Sequence, residues 1–292
     1  MSVLQAIVMG IVQGLTEFLP VSSSGHLAIF KNILGVDTDS GILFDVLLHV
    51  ATLIAVFAAF YRDVIRLIVE FFVIVKDGCI NLGRFFKNLT AKDKEDYINV
   101  ASNSYKKFVL LLLVSTAATA VLGVLLKKVV EGVNSNLLVT GISLIGTGVI
   151  LIISDYINEG GKRPKDATYT DALLVGSAQG VATLPGLSRS GSTIVACMLC
   201  GFDKRFAIKY SFIMSMPAIL GALILEIGDV DTSVISGSEV GAYIVGMIFA
   251  GIIGFIAVKL MIKIVLNRYF KYFAFYCFLV GAISVIAFLV ML

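Results

Sequence analysis

The residues of this sequence best able to do chemistry lie in a short polar stretch inside an otherwise apolar N-terminal region. Residues 13–26 read Gln-Gly-Leu-Thr-Glu-Phe-Leu-Pro-Val-Ser-Ser-Ser-Gly-His. Glu17 could accept hydrogen bonds or bind a hard metal ion, Ser22 or Ser23 could attack phosphorus, and His26 could act as base, acid or nucleophile. Polar side chains at membrane depth are costly and mark functional cavities, so we expect a site here.

A second polar stretch, residues 179–193, reads Gln-Gly-Val-Ala-Thr-Leu-Pro-Gly-Leu-Ser-Arg-Ser-Gly-Ser-Thr. Its single basic side chain, Arg189, has hydroxyls on both sides, those of Ser188, Ser190 and Thr193 among them. A guanidinium matches phosphate oxygens, and a helix beginning at Gly191 would add free backbone amides. The stretch therefore predicts a phosphate-binding loop. The alternative is that Arg189 only pairs with Glu17 for structural reasons.

The two stretches are related by an internal repeat. The interval from Gln13-Gly14 to Gly25 equals the interval from Gln179-Gly180 to Gly191, and a Ser-x-Ser-Gly sequence follows the proline in each stretch. The agreement of both features in one frame favours a repeat over the chance likeness of two loops rich in glycine and serine.

The composition indicates a membrane protein with many spans. Hydrophobic residues make up 58% of the 292 residues and charged residues 15%, whereas a soluble domain is about half apolar and a quarter charged. The net charge of +3 is too small to indicate nucleic acid binding. Cys197 and Cys200 lack a second pair of ligands, so no metal or redox site is predicted there.

The predicted fold is an all-α integral membrane protein, an inverted repeat in which each half is a re-entrant helical hairpin plus three transmembrane helices. Proline interrupts helical hydrogen bonding, so Pro20 and Pro185 divide hairpins 3–34 and 172–201. A span needs about 20 apolar residues. The first repeat, 1–155, then contains spans 42–75, 108–126 and 137–153, and the second, 166–292, contains spans 206–227, 240–265 and 272–292.

Three spans are an odd number, so the second hairpin enters from the opposite side and the two loops are expected to meet near the midplane. Basic residues are concentrated on one side of the membrane, in segments 62–107, 155–170, 204–205 and 263–271, and the other side has Lys31, Lys127 and Lys128. Positive loops face the cytoplasm. Both termini and the mouth of the first hairpin are therefore expected on the outer face of the cell membrane.

Two further residues could support the first hairpin. Asp45 and His49 are four positions apart and share a helix face, so they either support the site or form an ordinary helix-packing pair. One of the serines Ser22, Ser23 and Ser24 could serve as a helix cap, but three in a row exceed that need. The glycine-rich helices are compatible with a homodimer but do not require one.

Both stretches, quoted above, closely resemble the motifs of the undecaprenyl-diphosphate phosphatases of the bacitracin-resistance family, and the resemblance extends over the whole chain. It implies a membrane enzyme that hydrolyses undecaprenyl diphosphate to undecaprenyl phosphate and inorganic phosphate with Mg²⁺ or Ca²⁺. The reaction recycles the lipid carrier for cell-wall synthesis and gives bacitracin resistance.

The resemblance also implies residue roles. Gln13 and Glu17 belong to the carboxylate motif, in which Glu17 would hold the metal, and Ser22, Ser23 and His26 belong to the nucleophile loop. Gln13, Ser24 and Asp45 are further candidates for substrate binding. Arg189, Ser188, Ser190 and Thr193 form the phosphate-binding loop. The first motif position is Glu or Gln in the family and Gln13 here, so Glu17 alone carries the charge, with Asp45 as its candidate helper.

Two questions stay open at this point. Either Ser23 or His26 could take the phosphoryl group. A transporter or flippase of an anionic polyprenyl lipid is the competing function, because inverted repeats with midplane loops also build carriers. The serine and histidine loop favours the enzyme, since a carrier needs an anion site but no nucleophile.

Overall fold

Helices account for nearly all of the chain that the structure describes, and their order is the same in its two halves. The computed structural model describes residues 1–36, 38–90, 93–133, 136–227 and 237–291. The helices are α1 (Val3–Phe18), α2 (Ser23–Leu34), α3 (Thr38–Asn88), α4 (Ser104–Val133), α5 (Leu137–Tyr156), α6 (Tyr169–Val181), α7 (Arg189–Leu199), α8 (Lys204–Ile227), α9 (Gly237–Leu266) and α10 (Phe270–Met291). Two short helices followed by three long ones thus occur twice.

Six helices in the described residues are long and apolar enough to cross a membrane: α3, α4, α5, α8, α9 and α10. Large apolar side chains on these helices face outward, such as Val124 at 73% exposure and Ile224 at 74%. Outward apolar side chains suit a lipid environment, in which helices satisfy their own backbone hydrogen bonds. The prediction of an all-helical, multi-pass membrane protein is confirmed.

The main difference from the predicted spans is the length of α3. The span predicted to end at residue 75 continues as helix to Asn88, through non-helical backbone at Phe60. Two polar side chains beyond residue 75 have partners within the protein: Asp77 accepts from Lys106 in the first turn of α4, and Asn81 donates to the Ile98 carbonyl oxygen in the segment before α4. The other spans begin and end within a few residues of their predicted bounds, except that α4 ends later. Lys92 and Leu292 lie outside the described residues.

Both short helix pairs are divided where the prolines stand. Helix α1 ends before Pro20, and Pro185 lies in the turn between α6 and α7. Gly186 in that turn has φ +90, and a Cβ there would lie 2.3 Å from the Thr140 carbonyl oxygen, so glycine is required. Helix α7 begins two residues before the predicted Gly191, because the Ser188 hydroxyl caps it by accepting from the Gly191 amide at 3.1 Å.

Glycines allow close approach between the two halves. A Cβ on Gly10 would lie 2.3 Å from the Gly246 carbonyl oxygen, and a Cβ on Gly176 would lie 2.3 Å from that of Ser115. Helix α1 therefore packs on α9, and α6 packs on α4. Helices α5 and α10 also touch through glycines, since a Cβ on Gly141 would lie 2.8 Å from the Gly281 oxygen. Small residues at such contacts are the usual means of helix association in membranes.

Replacing Gly176 by Ala should lower the midpoint of thermal unfolding in detergent, because the new methyl group would meet the Ser115 backbone. We expect a loss of about 1–3 kcal/mol in the free energy of unfolding. Gly123→Ala in α4 is the matched control, since a Cβ there meets nothing within 4 Å and Ala favours helix. Equal midpoints for the two variants would contradict this packing.

Candidate active site

Glu17, in the last turn of α1, is the centre of a buried polar cluster. Its side chain is 1% exposed. Its Oε2 atom accepts hydrogen bonds from Gln13 Nε2 at 3.1 Å and from Ser23 Oγ at 2.8 Å. Gln13 lies one turn earlier on the same helix, and Ser23 begins α2. The first hairpin therefore directs an amide, a carboxylate and a hydroxyl to one point.

Arg189 adds the positive charge from the second hairpin. It is the first residue of α7, and its Nη2 atom donates to Glu17 Oε1. The loops also touch beside this ion pair: Ser190 Oγ donates to the Leu19 carbonyl oxygen at 3.4 Å, and a Cβ on Gly191 would lie 3.1 Å from Pro20 Cβ. A buried charge needs a partner, and here each hairpin supplies the partner for the other.

A small cavity of about 10 Å³ opens beside the ion pair, room for about one water. Its lining includes two serines of α8 that the sequence gave no reason to select, and consists of Glu17, Phe18, Arg189, Ser190, Thr193, Ser211, Phe212 and Ser215. The Thr193 and Ser211 hydroxyl oxygens are 2.5 Å apart. Hydroxyl groups thus surround the space next to the guanidinium.

The second loop is held from outside by α5. Thr147 Oγ1 donates to the Gly186 carbonyl oxygen at 3.1 Å and accepts from the Ser188 amide at 3.0 Å. The Ser188 and Ser190 hydroxyl oxygens are 3.3 Å apart. Ser188 therefore caps α7 and fixes the loop, while Ser190 and Thr193 line the cavity.

His26 lies in α2 with both ring nitrogens engaged. Nδ1 is 2.7 Å from the Ser22 carbonyl oxygen, and Nε2 is 2.7 Å from the Tyr276 hydroxyl of α10. Since a carbonyl only accepts, Nδ1 carries the proton and Nε2 accepts from Tyr276. Sequence reasoning missed Tyr276, because an aromatic residue in an apolar span resembles an ordinary lipid-facing side chain.

The three consecutive serines have different surroundings. Ser23 bonds to Glu17, whereas the Ser22 and Ser24 hydroxyl oxygens are 3.3 Å apart. Ser22 is buried and has φ +68, a backbone conformation that L-residues rarely adopt. This conformation directs the Ser22 carbonyl to His26 and leaves Ser23 as the hydroxyl beside the carboxylate.

Asp45 and His49 share a face of α3 but meet different parts of the first hairpin. His49 Nε2 is 3.8 Å from Glu17 Oε2. Asp45, one turn earlier, pairs with Lys31 in the last turn of α2. His49 is thus the α3 residue beside the cluster, and Asp45 joins α3 to the end of the hairpin.

The donors around Glu17 fit a hard metal ion. Gln13 Oε1 is buried without a hydrogen-bond partner, and it lies on the residue whose Nε2 touches Glu17. Carboxylate, amide carbonyl and hydroxyl oxygens are ligands that Mg²⁺ and Ca²⁺ accept, often together with phosphate oxygens. In the described residues no three His, Cys, Asp or Glu side chains form a metal-binding group, so phosphate or water oxygens would have to complete the shell.

Comparison with known proteins identifies the family. A family model described as bacitracin resistance protein BacA matches residues 6–283. The chain belongs to the BacA family. Proteins named undecaprenyl-diphosphatase are similar over nearly the whole length: that of Methanosphaera stadtmanae is 37% identical over 98% of both chains, and that of Treponema denticola is 41% identical over 96% of both. The resemblance predicted from the two loops is therefore confirmed at the level of the BacA family.

The Glu17–Arg189 ion pair should show strong coupling in thermal unfolding. Arg189→Met leaves a buried carboxylate without its partner and should cost about 3–5 kcal/mol. Adding Glu17→Gln removes that charge and should restore most of the loss. Lys209→Met is the matched control, because the Lys209–Asp63 pair has side chains 35% and 19% exposed and should be worth about 1 kcal/mol or less. Additive effects at positions 17 and 189 would contradict the pairing.

Proposed function

We propose that this BacA-family protein hydrolyses undecaprenyl diphosphate to undecaprenyl phosphate and inorganic phosphate at the Glu17–Arg189 cluster. One observation carries the proposal: Glu17 accepts hydrogen bonds from Ser23 and Arg189 at once. Glu17 therefore contacts both a hydroxyl that can attack phosphorus and a guanidinium that can bind phosphate. Its own carboxylate is the base for that hydroxyl. The names of the similar proteins agree. The product is the lipid carrier for cell-wall synthesis, and its renewal accounts for bacitracin resistance.

When the substrate binds, its diphosphate competes with Glu17 for Arg189. The diphosphate can form two parallel hydrogen bonds with the guanidinium, and it replaces Glu17 as the partner of that cation. Ser190 and Thr193 offer further donors, and the N-terminus of α7 supplies positive potential. The prenyl chain stays among lipid tails while only the charged head enters between the hairpins.

Ser23 is the attacking group in this proposal. Its Oγ forms a bond to the terminal phosphorus while Glu17 takes the proton, and the bond from phosphorus to the bridging oxygen breaks to release undecaprenyl phosphate. Water then splits the phosphoserine, giving inorganic phosphate and restoring the hydroxyl. Arg189 stabilises the negative charge on the equatorial oxygens in both steps. His26 orients the serine loop, since Tyr276 occupies its Nε2 lone pair.

Gln13, Glu17 and Ser23 are the residues that would hold Mg²⁺ or Ca²⁺, and the ion would supply positive charge that offsets the diphosphate. Gln13 contributes the buried carbonyl oxygen that has no other partner. His49 Nε2 lies 3.8 Å from Glu17 Oε2, so His49 adds a polar neighbour on the α3 side of the carboxylate.

The architecture proposed for this site is an inverted repeat with two re-entrant hairpins. Helices α1 and α6 hold equivalent places in the two halves, and so do α9 and α4. Packing of α1 on α9 and of α6 on α4 is what a two-fold relation between the halves requires. Gln13 and Gln179 occupy equivalent positions, and each has a buried Oε1 atom without a partner. The charge distribution supports a site that opens to the outer face.

Release of inorganic phosphate by the purified protein tests the function. Given undecaprenyl diphosphate and Mg²⁺ in detergent, the protein should release phosphate, and Arg189→Ala should lower kcat/KM by about 10³-fold or more. Arg189→Lys should recover only part of the lost kcat/KM. The lysine restores the positive charge, but its ammonium group cannot form the two parallel hydrogen bonds of the planar guanidinium. Arg205→Ala, an exposed position at the start of α8, should behave as the unmodified protein. Absence of phosphate release, with lipid still bound, would favour a carrier instead.

Trapping of the phosphoryl group distinguishes Ser23 from His26. Substrate with a radioactive terminal phosphate, quenched separately in acid and in alkali, should leave acid-stable label on Ser23. The label should disappear in Ser23→Ala and persist, formed more slowly, in His26→Ala, with Ser24→Ala as the control. Label that is stable only in alkali and maps to His26 would assign the nucleophile to the histidine.

Labelling of introduced cysteines tests the proposed orientation. In a Cys79→Ser background, a membrane-impermeant maleimide applied to intact cells should label Lys128→Cys at the end of α4. Lys165→Cys, in the connection before α6, should react only after the membrane is permeabilised. The reverse pattern would place the mouth of the first hairpin in the cytoplasm.

A further inference from the structure

The second part of α3 carries an apolar face that the described chain does not cover. Beyond Phe60 the helix continues to Asn88, a length of about 40 Å. Large side chains of this face are between 46% and 65% exposed. We call it the α3 stripe; it consists of Ile65, Ile68, Phe72, Val75, Cys79, Leu82, Phe86 and, in the turn directly after the helix, Leu89. Spacings that alternate between three and four residues place them in one row along the helix.

The opposite face of this part of α3 is polar and is covered by the chain that precedes and begins α4. Asp63 accepts from the Tyr105 hydroxyl at 2.9 Å, Glu70 from Asn103 at 3.2 Å, and Asp77 from Lys106 at 2.6 Å. Farther along, Asn81 bonds to the Ile98 backbone. The helix is therefore amphipathic, and its polar face already has partners.

These contacts show how this part of α3 lies relative to α4. The three carboxylates are seven residues apart, and so about 10 Å apart along α3. All three are held by residues 103–106, which extend only about 5 Å along α4. The contacts are thus spread over a long part of α3 but over a short part of α4. Two helices have such contacts when they cross at an angle rather than run side by side. Because α4 spans the membrane, the part of α3 beyond Phe60 is inclined toward the membrane plane.

The charged side chains that α3 itself places beside the stripe are basic. Arg62, Lys76 and Lys87 follow one edge of the stripe, whereas the acidic residues between positions 61 and 90 are the three on the covered face. Beyond this helix, Glu95 is paired with Lys87, which holds the pKa of that carboxyl below its usual range. Phe71 and Phe85 adjoin the stripe and broaden its apolar surface. A broad apolar face with aromatic residues and a basic edge is typical of helices at a membrane surface.

We propose that the α3 stripe lies in the boundary between headgroups and acyl chains of the adjacent leaflet, with anionic lipid headgroups along its basic edge. Spacings that alternate between three and four residues also occur where two helices pack in a coiled coil, so a second copy of the chain is the alternative partner of the stripe. The exposed Phe71 and Val69, at 37% and 56% exposure on opposite sides of the row, make the apolar surface wider than a two-helix seam. Width and charge together favour lipid, and this inference does not depend on the phosphatase activity.

Cys79, exposed in the middle of the stripe, is a native probe for the test. The full-length protein, with Cys200→Ser so that the other cysteines are buried, is labelled there with an environment-sensitive fluorophore. It is placed in phosphatidylcholine vesicles with and without phosphatidylglycerol. Lys94→Cys in a Cys79→Ser, Cys200→Ser background is the matched control, because Lys94 is exposed in the polar connection.

The label at Cys79 should be quenched severalfold more by lipids brominated high on the acyl chain than by iodide in the water, and the label at position 94 should show the reverse. Phosphatidylglycerol should strengthen lipid quenching at Cys79, and Lys76→Glu should remove that increase. Iodide quenching as strong at Cys79 as at position 94 would overturn the proposal. A disulfide between the Cys79 residues of two copies, formed under mild oxidation, would instead assign the stripe to a dimer.

Discussion

The Glu17–Arg189 ion pair is the interaction on which the rest of the structure depends. The two side chains come from α1 and α7, and the Glu17 carboxylate is buried where a charge is not stable without a partner. The loops on either side are shaped to deliver them: Pro20 and Pro185 end the helices, Gly186 permits the turn, and Ser188 and Thr147 fix the second loop. The fold thus brings two oppositely charged side chains from different loops to one point, where each is the partner of the other.

The same ion pair contributes to the stability of the fold and takes part in the proposed reaction. While Arg189 is bonded to Glu17, the positive charge is neutralised, and the neighbouring cavity has room for only about one water. In the mechanism proposed above, a diphosphate offers the guanidinium a stronger, bidentate partner, and its arrival would free Glu17 to act as base toward Ser23, which already donates to it. Binding energy of the phosphate would then be used to create the catalytic arrangement, a common device in enzymes.

The features that the sequence predicts are those that depend on residues close together in the chain. The helix breaks follow from proline and the six long helices from apolar runs, so the sequence predicts both, apart from the later ends of α3 and α4. The sequence leaves open whether Arg189 pairs with Glu17, and the structure shows that it does. Tyr276 and Ser211 could not be selected, because their importance lies in contacts across the fold. The helical extension of α3 to Asn88 was missed because polar residues there resemble a loop until their partners at 95–98 and at Lys106 are known.

A structure of the protein bound to a prenyl methylene-diphosphonate, which cannot be hydrolysed, tests the account most directly. We predict that Arg189 leaves Glu17 to bind the diphosphonate, that Ser23 stays within hydrogen-bond distance of Glu17, and that the prenyl chain projects into the lipid. A diphosphonate bound elsewhere, with the Glu17–Arg189 pair intact, would show that the pair only holds the hairpins together.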